Sequence, residues 1–334
     1  MIKNASVRVP ASEDFTPAWW CRSRHAQTIW ASTLRPTPVL PACRRERWEI
    51  PDGDFLDVDH VSVEAGRPIL VVLHGLEGSS DAKQVRGFLH LAHREGWRGV
   101  GVNFRSCGGQ PNRLRRSYHA GETSDLSWVI QRVVAQYPGD PVFCVGMSLG
   151  GNVLLKYLGE QQDAVPAPVK AAVAISTPFD LARSARAFEQ GFFNRLYMGC
   201  LVRSLKEKTR AKLARYPDLV DRQRLAAVRT IREFDELVTA PVHGFARASN
   251  YWMASSCRQF LAAIRRPTLL MSAVDDPLVP SDERLWQEVA RNRWLTAACP
   301  DAGGHVGFVS GRWPCRPIYW AEQSALMFFK QQIG

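Results

Sequence analysis

The feature that most constrains this chain is a glycine-flanked serine, Gly146-Met-Ser-Leu-Gly150, between a predicted strand and a predicted helix. Residues 141–145 form a short apolar run typical of a buried strand, and residues 152–160 have helical periodicity. A serine in such a turn adopts unfavourable φ/ψ angles, and small residues two positions away let the neighbouring segments pass. The turn lifts the Oγ atom of Ser148 above the sheet edge at a helix N-terminus, where an oxyanion is stabilised. The alternative is a glycine-rich turn that holds a serine by chance, but the strand and helix around the motif favour a nucleophile.

Strands alternate with helices on both sides of this motif. Helical periodicity predicts helices at residues 80–95, 124–136, 152–160 and 317–332. Short apolar, β-branched runs predict strands at residues 68–73, 98–104, 141–145, 170–175, 268–273 and 294–298. This alternation predicts an α/β fold with a mostly parallel central sheet that carries helices on both faces.

The alternation stops after residue 175 and resumes at residue 268. A helical connection of this length is far longer than the usual link between α/β elements. It is either an inserted lid or a domain boundary. The later strand at 294–298 and the C-terminal helix complete the interrupted sheet, so we predict a single domain over 1–334 with a helical lid at 177–266.

A nucleophilic serine requires a base and an acid that orients the base, and with this motif the chain order is serine, acid, histidine. His305 is the only histidine that follows the aspartates after the strand at 268–273, and glycines beside it allow its loop to fold back over the sheet. Asp276, before Pro-Leu-Val, fits the acid position better than Asp275, which would then cap the loop. The alternative for His305 is an ordinary surface-loop histidine.

An oxyanion formed at Ser148 requires two backbone N–H donors. The motif predicts the N–H of Leu149, directly after the serine, and the N–H of Leu76, in the loop that follows the strand at 68–73. We expect His74 to brace that loop. His119 precedes the serine and is in the wrong order for a base, and we expect His243 to be a packing or capping residue of the lid.

The net charge of +11 is concentrated in the lid, where residues 181–232 contain thirteen lysines and arginines and four acidic residues. No helix-turn-helix, RNP or zinc-finger pattern accompanies it, so we predict no nucleic-acid partner. The apolar residues expected to face the acyl pocket are Phe188, Phe192, Leu196, Leu201, Leu205 and Leu213. The basic residues expected on the outer face are Arg203, Lys206, Lys208, Arg210 and Lys212. This face predicts either weak peripheral contact with anionic membranes or a solvated surface without a partner.

Composition indicates a soluble cytoplasmic protein. The first ten residues lack the apolar core of a secretory signal, and the longest uncharged run in the catalytic half, 141–155, is too short to span a bilayer. The eight cysteines are scattered without a CxxC pair, which favours free, mostly buried thiols in a reducing compartment. Zinc-site spacing is absent, and no metal or organic cofactor is predicted.

The assembled motifs resemble the YheT-like branch of the α/β-hydrolases, which are esterase-like proteins related to the animal abhydrolase-domain lipid hydrolases. The resemblance rests on residues 25–30, 73–78, 103–108, 111–113, 117–125, 234–235, 239–245 and 273–277 together with the serine motif. It implies an α/β-hydrolase fold with Ser148, Asp276 and His305 at the triad positions. It implies hydrolysis of short- to medium-chain or lipid carboxylic esters through an acyl-enzyme. Alcohol acyltransfer through the same intermediate is the alternative, and a non-catalytic binding protein is a second one. Ser106 departs from the pattern, which has glycine there.

Overall fold

The computed structural model describes residues 15–40, 43–63 and 68–333, and eight of its strands form one sheet. The order across the sheet is β1-β2-β4-β3-β5-β6-β7-β8, parallel from β4 to β8, with β1 and β2 antiparallel at one edge. These strands are β1 Cys43–Glu49, β2 Phe55–Val61, β3 Ile69–Leu73, β4 Arg98–Val102, β5 Val142–Met147, β6 Val169–Ile175, β7 Thr268–Met271 and β8 Leu295–Ala298. Two short strands, β9 Val309–Ser310 and β10 Ile318–Tyr319, pair separately.

Helices cover the sheet and fill the long connection between β6 and β7. The helices outside that connection are α1 Arg24–Ile29, α2 Lys83–Arg94, α3 Ser124–Gln136, α4 Leu149–Gln161, α11 Glu283–Ala290 and α12 Trp320–Lys330. The helices inside it are α5 Leu181–Phe188, α6 Phe192–Leu213, α7 Arg222–Ala227, α8 Ile231–Phe234, α9 Ala240–Val242 and α10 Ala248–Ser255. Short π-helical stretches at Trp30–Leu34 and Asp235–Thr239, and 3₁₀ turns at Gln162–Ala164 and Cys257–Ala263, complete the described helical segments.

The central strands are buried on both faces, as their uninterrupted apolar sequences predict. Along β3, Val71 and Leu73 pack with helices α3 and α4, whereas Leu70 and Val72 pack with α2 and α12 on the opposite face. Successive side chains of a strand point to opposite faces, so one short strand contributes to both cores. The mostly parallel sheet with helices on both faces is thereby confirmed.

Strands β1 and β2 were not predicted, because charged residues hide their pattern. All seven residues of β2 are buried, including Asp57 and Asp59. Arg45 and Arg47 of β1 reach across the pair, with Nε 2.6 Å from Asp59 Oδ1 and 2.8 Å from Asp57 Oδ1, respectively. The carboxylates are therefore buried with their partners, which removes most of the penalty for burying a charge.

The chain between β6 and β7 contains no strand among the described residues, and it has an apolar cluster of its own. That cluster joins Met198 and Val202 of α6 to Leu225 of α7 and Ile231 of α8. The interpretation of 177–266 as a lid within a single domain stays a prediction, and residues 1–10 lie outside the described residues.

The assignment of the lid's basic residues to an outer face is wrong for the three lysines. Arg203 and Arg210 are exposed. The Nζ of Lys206 donates to the carbonyl oxygens of residues 226 and 228, at 2.7 and 2.9 Å. Lys208 lines the central cavity, and Lys212 is buried with its Nζ on the carbonyls of the 114–116 segment. Three of the five cations therefore anchor the lid internally instead of facing solvent.

The apolar residues of α5 and α6 that were expected to face the pocket also differ in part from the prediction. Phe192 and Leu196 are 78% and 53% exposed. Phe188 and Leu205 line the cavity, whereas Leu201 and Leu213 pack into the lid cluster. Within the part of the chain that the structure describes, no helix has the length and apolarity needed to cross a membrane.

The cysteines are free, but they are less buried than predicted. Cys21, Cys107, Cys144 and Cys257 are buried. Cys299 is partly exposed, and the exposed thiols are Cys43, Cys200 and Cys315.

Ser106 adopts a φ of +63°, in the left-handed region that favours glycine. Its Oγ accepts the N–H of Asn112 at 3.1 Å, and its own N–H is bonded to the Asn112 side chain. This local pair of hydrogen bonds holds the serine in the conformation for which the resemblance leads us to expect glycine.

Candidate active site

Ser148 occupies the turn that joins β5 to α4, with φ +51° and ψ −120°. Its N–H donates to the carbonyl of Ile175 at 2.8 Å, which fixes the turn against β6. A Cβ added at Gly146 would lie 2.4 Å from the Gly150 oxygen, and one added at Gly150 would lie 2.5 Å from the His74 oxygen. Larger residues at these two positions would force the turn apart, so the glycines are required by close backbone approach.

His305 lies in the loop after β8, and its ring contacts both Ser148 and Asp276. Its Nε2 is 2.9 Å from Ser148 Oγ, and its Nδ1 is 2.9 Å from Asp276 Oδ2 and 3.1 Å from Oδ1. Because a carboxylate only accepts, Nδ1 carries the proton and Nε2 accepts from the serine. Asp276 is buried, and its Oδ1 also accepts the N–H groups of Leu278 and Val279, at 2.8 and 3.0 Å. The carboxylate is thus held in place on the backbone side as well.

Asp275 contacts the backbone of the histidine loop, and among the described residues only Asp276 supplies a carboxylate to the imidazole. Its Oδ1 accepts the N–H of Gly304 at 2.9 Å, one residue before His305. Burial raises the pKa of Asp275 above its ordinary value, and the like charge of Asp276 acts in the same direction.

Helix α1 also supports the loop that carries His305, a contact that the sequence pattern did not predict. The Oγ1 of Thr28 accepts the N–H of His305 at 2.9 Å. The buried side chain of Gln27 donates to the carbonyl of Val309 at 2.9 Å and accepts its N–H at 2.6 Å. These two residues belong to the 25–30 segment on which the family resemblance rests, so that segment was the available signal.

The two predicted oxyanion donors both border the cavity at Ser148. Among the described residues, no acceptor takes the N–H of Leu149 or that of Leu76. A Cβ at Gly75 would lie 3.2 Å from the Cβ of Ser148, which places the loop after β3 directly against the serine. Both N–H groups are therefore available near the position where negative charge would develop.

His74 holds that loop from behind. Its Nδ1 is 2.7 Å from the carbonyl of Gly75, and its Nε2 accepts the N–H of Phe104 at 3.1 Å. The side chain is fully buried, and burial lowers the pKa of His74 to about 4. His74 is therefore neutral near pH 7 and supports the loop through both ring nitrogens.

Glu77, the next residue of the loop, links it to the lid. Its φ of +58° is unusual for a residue with a side chain. Its N–H donates to the Tyr118 hydroxyl at 2.8 Å, and that hydroxyl donates back to Oε1 at 2.7 Å. From helix α6, the Nζ of Lys208 lies 3.1 Å from Oε1, and Ser204 donates to Oε2. The loop that carries Leu76 is thus tied to the lid by a buried carboxylate.

A cavity of about 130 Å³ opens beside these groups, and both Ser148 and His305 border it. Most of its wall is apolar and comes from the lid and from the loops above the sheet, including Leu181, Phe188, Leu205, Phe234, Val238 and Leu278. Two histidines, His119 and His243, also border it. A cavity whose exposed wall is mostly apolar, with polar side chains at its edges, is typical of a binding site for a small molecule with an apolar part.

Among the described residues, no group of three or more histidine, cysteine, aspartate or glutamate side chains is arranged to hold a metal ion.

Comparison with known proteins gives one consistent fold. A family profile for the alpha/beta hydrolase fold matches residues 68–308. The chain is 38% identical to YheT of Escherichia coli (strain K12) over 93% of its own length and 92% of that protein. It is 28% identical to phospholipase ABHD3 of Mus musculus, covering 92% and 76% of the two chains. It is 29% identical to the monoacylglycerol lipase of Saccharomyces cerevisiae, covering 89% and 67%.

Solved structures lead to the same architecture. An esterase from Pyrococcus furiosus superposes with a TM-score of 0.58 at 18% identity, covering 90% of this chain and 97% of the other. At that identity the likeness concerns the fold alone.

Proposed function

The chain belongs to the α/β-hydrolase family, in its YheT-like branch, and on that premise we propose that it hydrolyses carboxylic esters through an acyl-enzyme on Ser148. The observation that carries the proposal is the continuous hydrogen-bonded chain from Ser148 Oγ through His305 to Asp276, at the wall of an apolar cavity. A serine alcohol is a weak nucleophile, and an imidazole oriented by a carboxylate is the arrangement that activates it.

In the acylation half, His305 Nε2 removes the proton of Ser148 as Oγ attacks the ester carbonyl. The N–H groups of Leu76 and Leu149 stabilise the negative oxygen of the tetrahedral intermediate. Collapse of the intermediate breaks the bond to the alcohol, which leaves with the proton from His305. Water then attacks the acyl-enzyme, with His305 as base again, and releases the carboxylic acid. Throughout, Asp276 keeps the ring in the tautomer that presents Nε2 to the serine.

The cavity wall favours an ester with an apolar acyl part. Its lid-derived side chains, such as Phe188 and Leu205, are apolar and would contact an acyl chain bound at Ser148. Two similar proteins, a phospholipase and a monoacylglycerol lipase, are named for lipid esters, which supports the same class of substrate.

The proposal is tested with a fluorophosphonate probe and p-nitrophenyl esters of increasing acyl length. Wild type should be labelled at Ser148 and should hydrolyse the shorter esters. Ser148→Ala should fold, lose the label and lose turnover. Ser117→Ala removes another hydroxyl from the cavity wall and should keep the label, which makes it the matched control. Labelling at another serine, or turnover by Ser148→Ala, would rule the proposal out.

A primary alcohol added to the same assay separates hydrolysis from acyl transfer. Our proposal expects free acid as the main product. Predominant formation of a new ester would instead assign the acyl-enzyme to an acyltransferase.

A further inference from the structure

Two histidines that the proposed mechanism does not use meet on the cavity wall. His119 comes from the connection between β4 and α3, and His243 follows α9 in the lid. Their ring centroids are 4.4 Å apart, and both side chains border the cavity that Ser148 borders. Two distant parts of the chain therefore bring a pair of imidazoles to the site where substrate would lie.

The hydrogen bonds of His119 define which nitrogen is free. Its Nδ1 accepts the N–H of Gly121 at 3.1 Å, so the proton of the neutral ring is on Nε2. The nearest carboxylate oxygen to Nε2, on Glu122, is 3.9 Å away, which is beyond hydrogen-bond distance. The Nε2–H of His119 is therefore a donor without an acceptor among the described residues.

The second imidazole, that of His243, has both ring nitrogens open to hydrogen bonding. Neither ring nitrogen of His243 has a hydrogen-bond partner among the described residues. Burial lowers the pKa of His119 to about 4 and that of His243 to about 3. Both rings are uncharged near neutral pH, so the pair offers donors and an acceptor but no net charge.

Two other polar side chains that border the cavity, Tyr251 and Asp235, already have hydrogen-bond partners. The Tyr251 hydroxyl accepts the N–H of Ala120 at 2.9 Å. The Asp235 carboxylate accepts the Nε1–H of Trp252 at 2.8 Å. The rings of Tyr251 and Phe245 lie 5.6 and 5.9 Å from that of His119. Polar groups that border a binding cavity without a protein partner are available to hydrogen-bond a bound ligand.

We propose that His119 and His243 form a subsite for an uncharged hydroxyl group of the substrate, so that the enzyme prefers hydroxyl-bearing esters over matched esters without the hydroxyl. The inference rests on the proposed ester hydrolysis and adds a substrate class to it. A hydroxyl both donates and accepts, as the two neutral rings do. A phosphate or carboxylate fits poorly, because the rings are uncharged and the cations that border the cavity already have partners. Arg105, Arg115 and Lys208 pair with carboxylates, and Lys212 is bonded to the carbonyls of the 114–116 segment.

Four esters test the subsite and locate the hydroxyl. Glycerol monobutyrate is compared with propyl butyrate for a hydroxyl on the alcohol, and methyl 4-hydroxybutyrate with methyl butyrate for one on the acyl chain. We expect wild type to show a kcat/KM about tenfold higher for the hydroxyl-bearing member of one pair, a modest value for one buried hydrogen-bonding site. The pair that shows the preference identifies the position of the hydroxyl.

Variants then assign the preference to the histidines. His243→Phe keeps a ring but no hydrogen-bonding atom and should bring the ratio near one, whereas His243→Gln should restore part of it. His119→Phe tests the partner independently, and thermal unfolding checks that each variant is folded. His90→Leu, which removes an imidazole outside the cavity, should keep the wild-type ratio.

Three outcomes separate the claims. A wild-type ratio near one in both ester pairs would overturn the subsite. An equal loss of kcat/KM on both members of a pair in folded His243→Phe and His119→Phe would also overturn it, because that indicates a structural role. If wild type hydrolysed none of the four esters, the proposed function itself would fail.

Discussion

Replacing Lys208 by methionine tests whether the lid positions the loop that carries the Leu76 N–H. The Nζ of Lys208 lies 3.1 Å from Glu77 Oε1 and 3.0 Å from Cys107 Sγ. The side chain of Glu77 is only 3% exposed, whereas that of Lys208 is 28% exposed. Methionine has nearly the same length and leaves the carboxylate without its cation.

The loss of stability follows from this partial burial. Removing one partner of a fully buried ion pair destabilises a protein by about 3–5 kcal/mol. Because over a quarter of the Lys208 side chain is exposed, and two hydroxyls still donate to Glu77, we expect about 2 kcal/mol from Lys208→Met. Burial by itself would lower the pKa of Lys208, but Cys107 and Glu77 raise it, so the side chain stays charged at neutral pH.

The effect of Lys208→Met on kcat shows whether the Lys208–Glu77 ion pair positions the oxyanion donor or only stabilises the lid. Glu77 directly follows Leu76, so a loosened carboxylate displaces an oxyanion donor, and we expect kcat to fall about tenfold to a hundredfold. The KM for a short soluble ester should change little, since the acyl contacts are retained. Urea denaturation and steady-state kinetics measure the two effects.

Lys206→Met is the matched control on the same helix. Its ammonium bonds two carbonyls within the lid and does not touch the loop. It should lower the free energy of unfolding by about 1–3 kcal/mol while leaving kcat near the wild-type value. If Lys208→Met were destabilised in the same way with kcat unchanged, the coupling between lid and loop would be refuted.

Three further predictions concern the triad, the pH dependence and the lid surface. Asp276→Asn should lower kcat by about 10⁴-fold, as loss of the orienting carboxylate does in other serine hydrolases. Asp275→Asn keeps an acceptor oxygen and should change kcat little. If steady-state kinetics showed the larger loss in Asp275→Asn, the orienting acid would be Asp275. The pKa of His243 is lowered from 6.5 to about 3 by burial, so the unfolded chain takes up this proton first and wild type loses stability as pH falls below 6.5. In urea denaturation, His243→Phe should lack this loss, about 2 kcal/mol between pH 6.5 and 5, and parallel pH profiles would contradict it. We also propose that the exposed side chains of Phe192 and Leu196, on a basic lid, make weak contact with anionic membranes. Sedimentation with anionic vesicles should exceed that with neutral vesicles, should fall as salt rises, and should be lost when Phe192→Ser and Leu196→Ser are combined. Equal partitioning to both vesicle types at low salt would refute this proposal.

Local rules were sufficient to predict the parallel part of the sheet and the candidate triad. The strand before Ser148 is a continuous apolar run, which is what burial on both faces requires. The turn itself needs glycine on both sides for backbone clearance, so Gly146 and Gly150 identify it without any tertiary information. Chain order then identified His305, and the Pro-Leu-Val after Asp276 favoured it over Asp275. The structure brings His305 and Asp276 within hydrogen-bond distance of their partners.

Tertiary structure alone decided the features in which charge is compensated from a distance. The sequence of β2 does not indicate a buried strand, because Asp57 and Asp59 interrupt its apolar pattern. Arg47 and Arg45, which pair with these carboxylates, come from the neighbouring strand β1.

The same reason explains the lid. Helical periodicity groups the residues of α6 into faces, but it does not reveal which face meets the protein. Lys208 and Lys212 turn inward because a carboxylate at residue 77 and the carbonyls of the 114–116 segment, both remote in sequence, are positioned to receive them. A lysine can be buried only where such acceptors exist, and their positions are set by the packing of the whole fold.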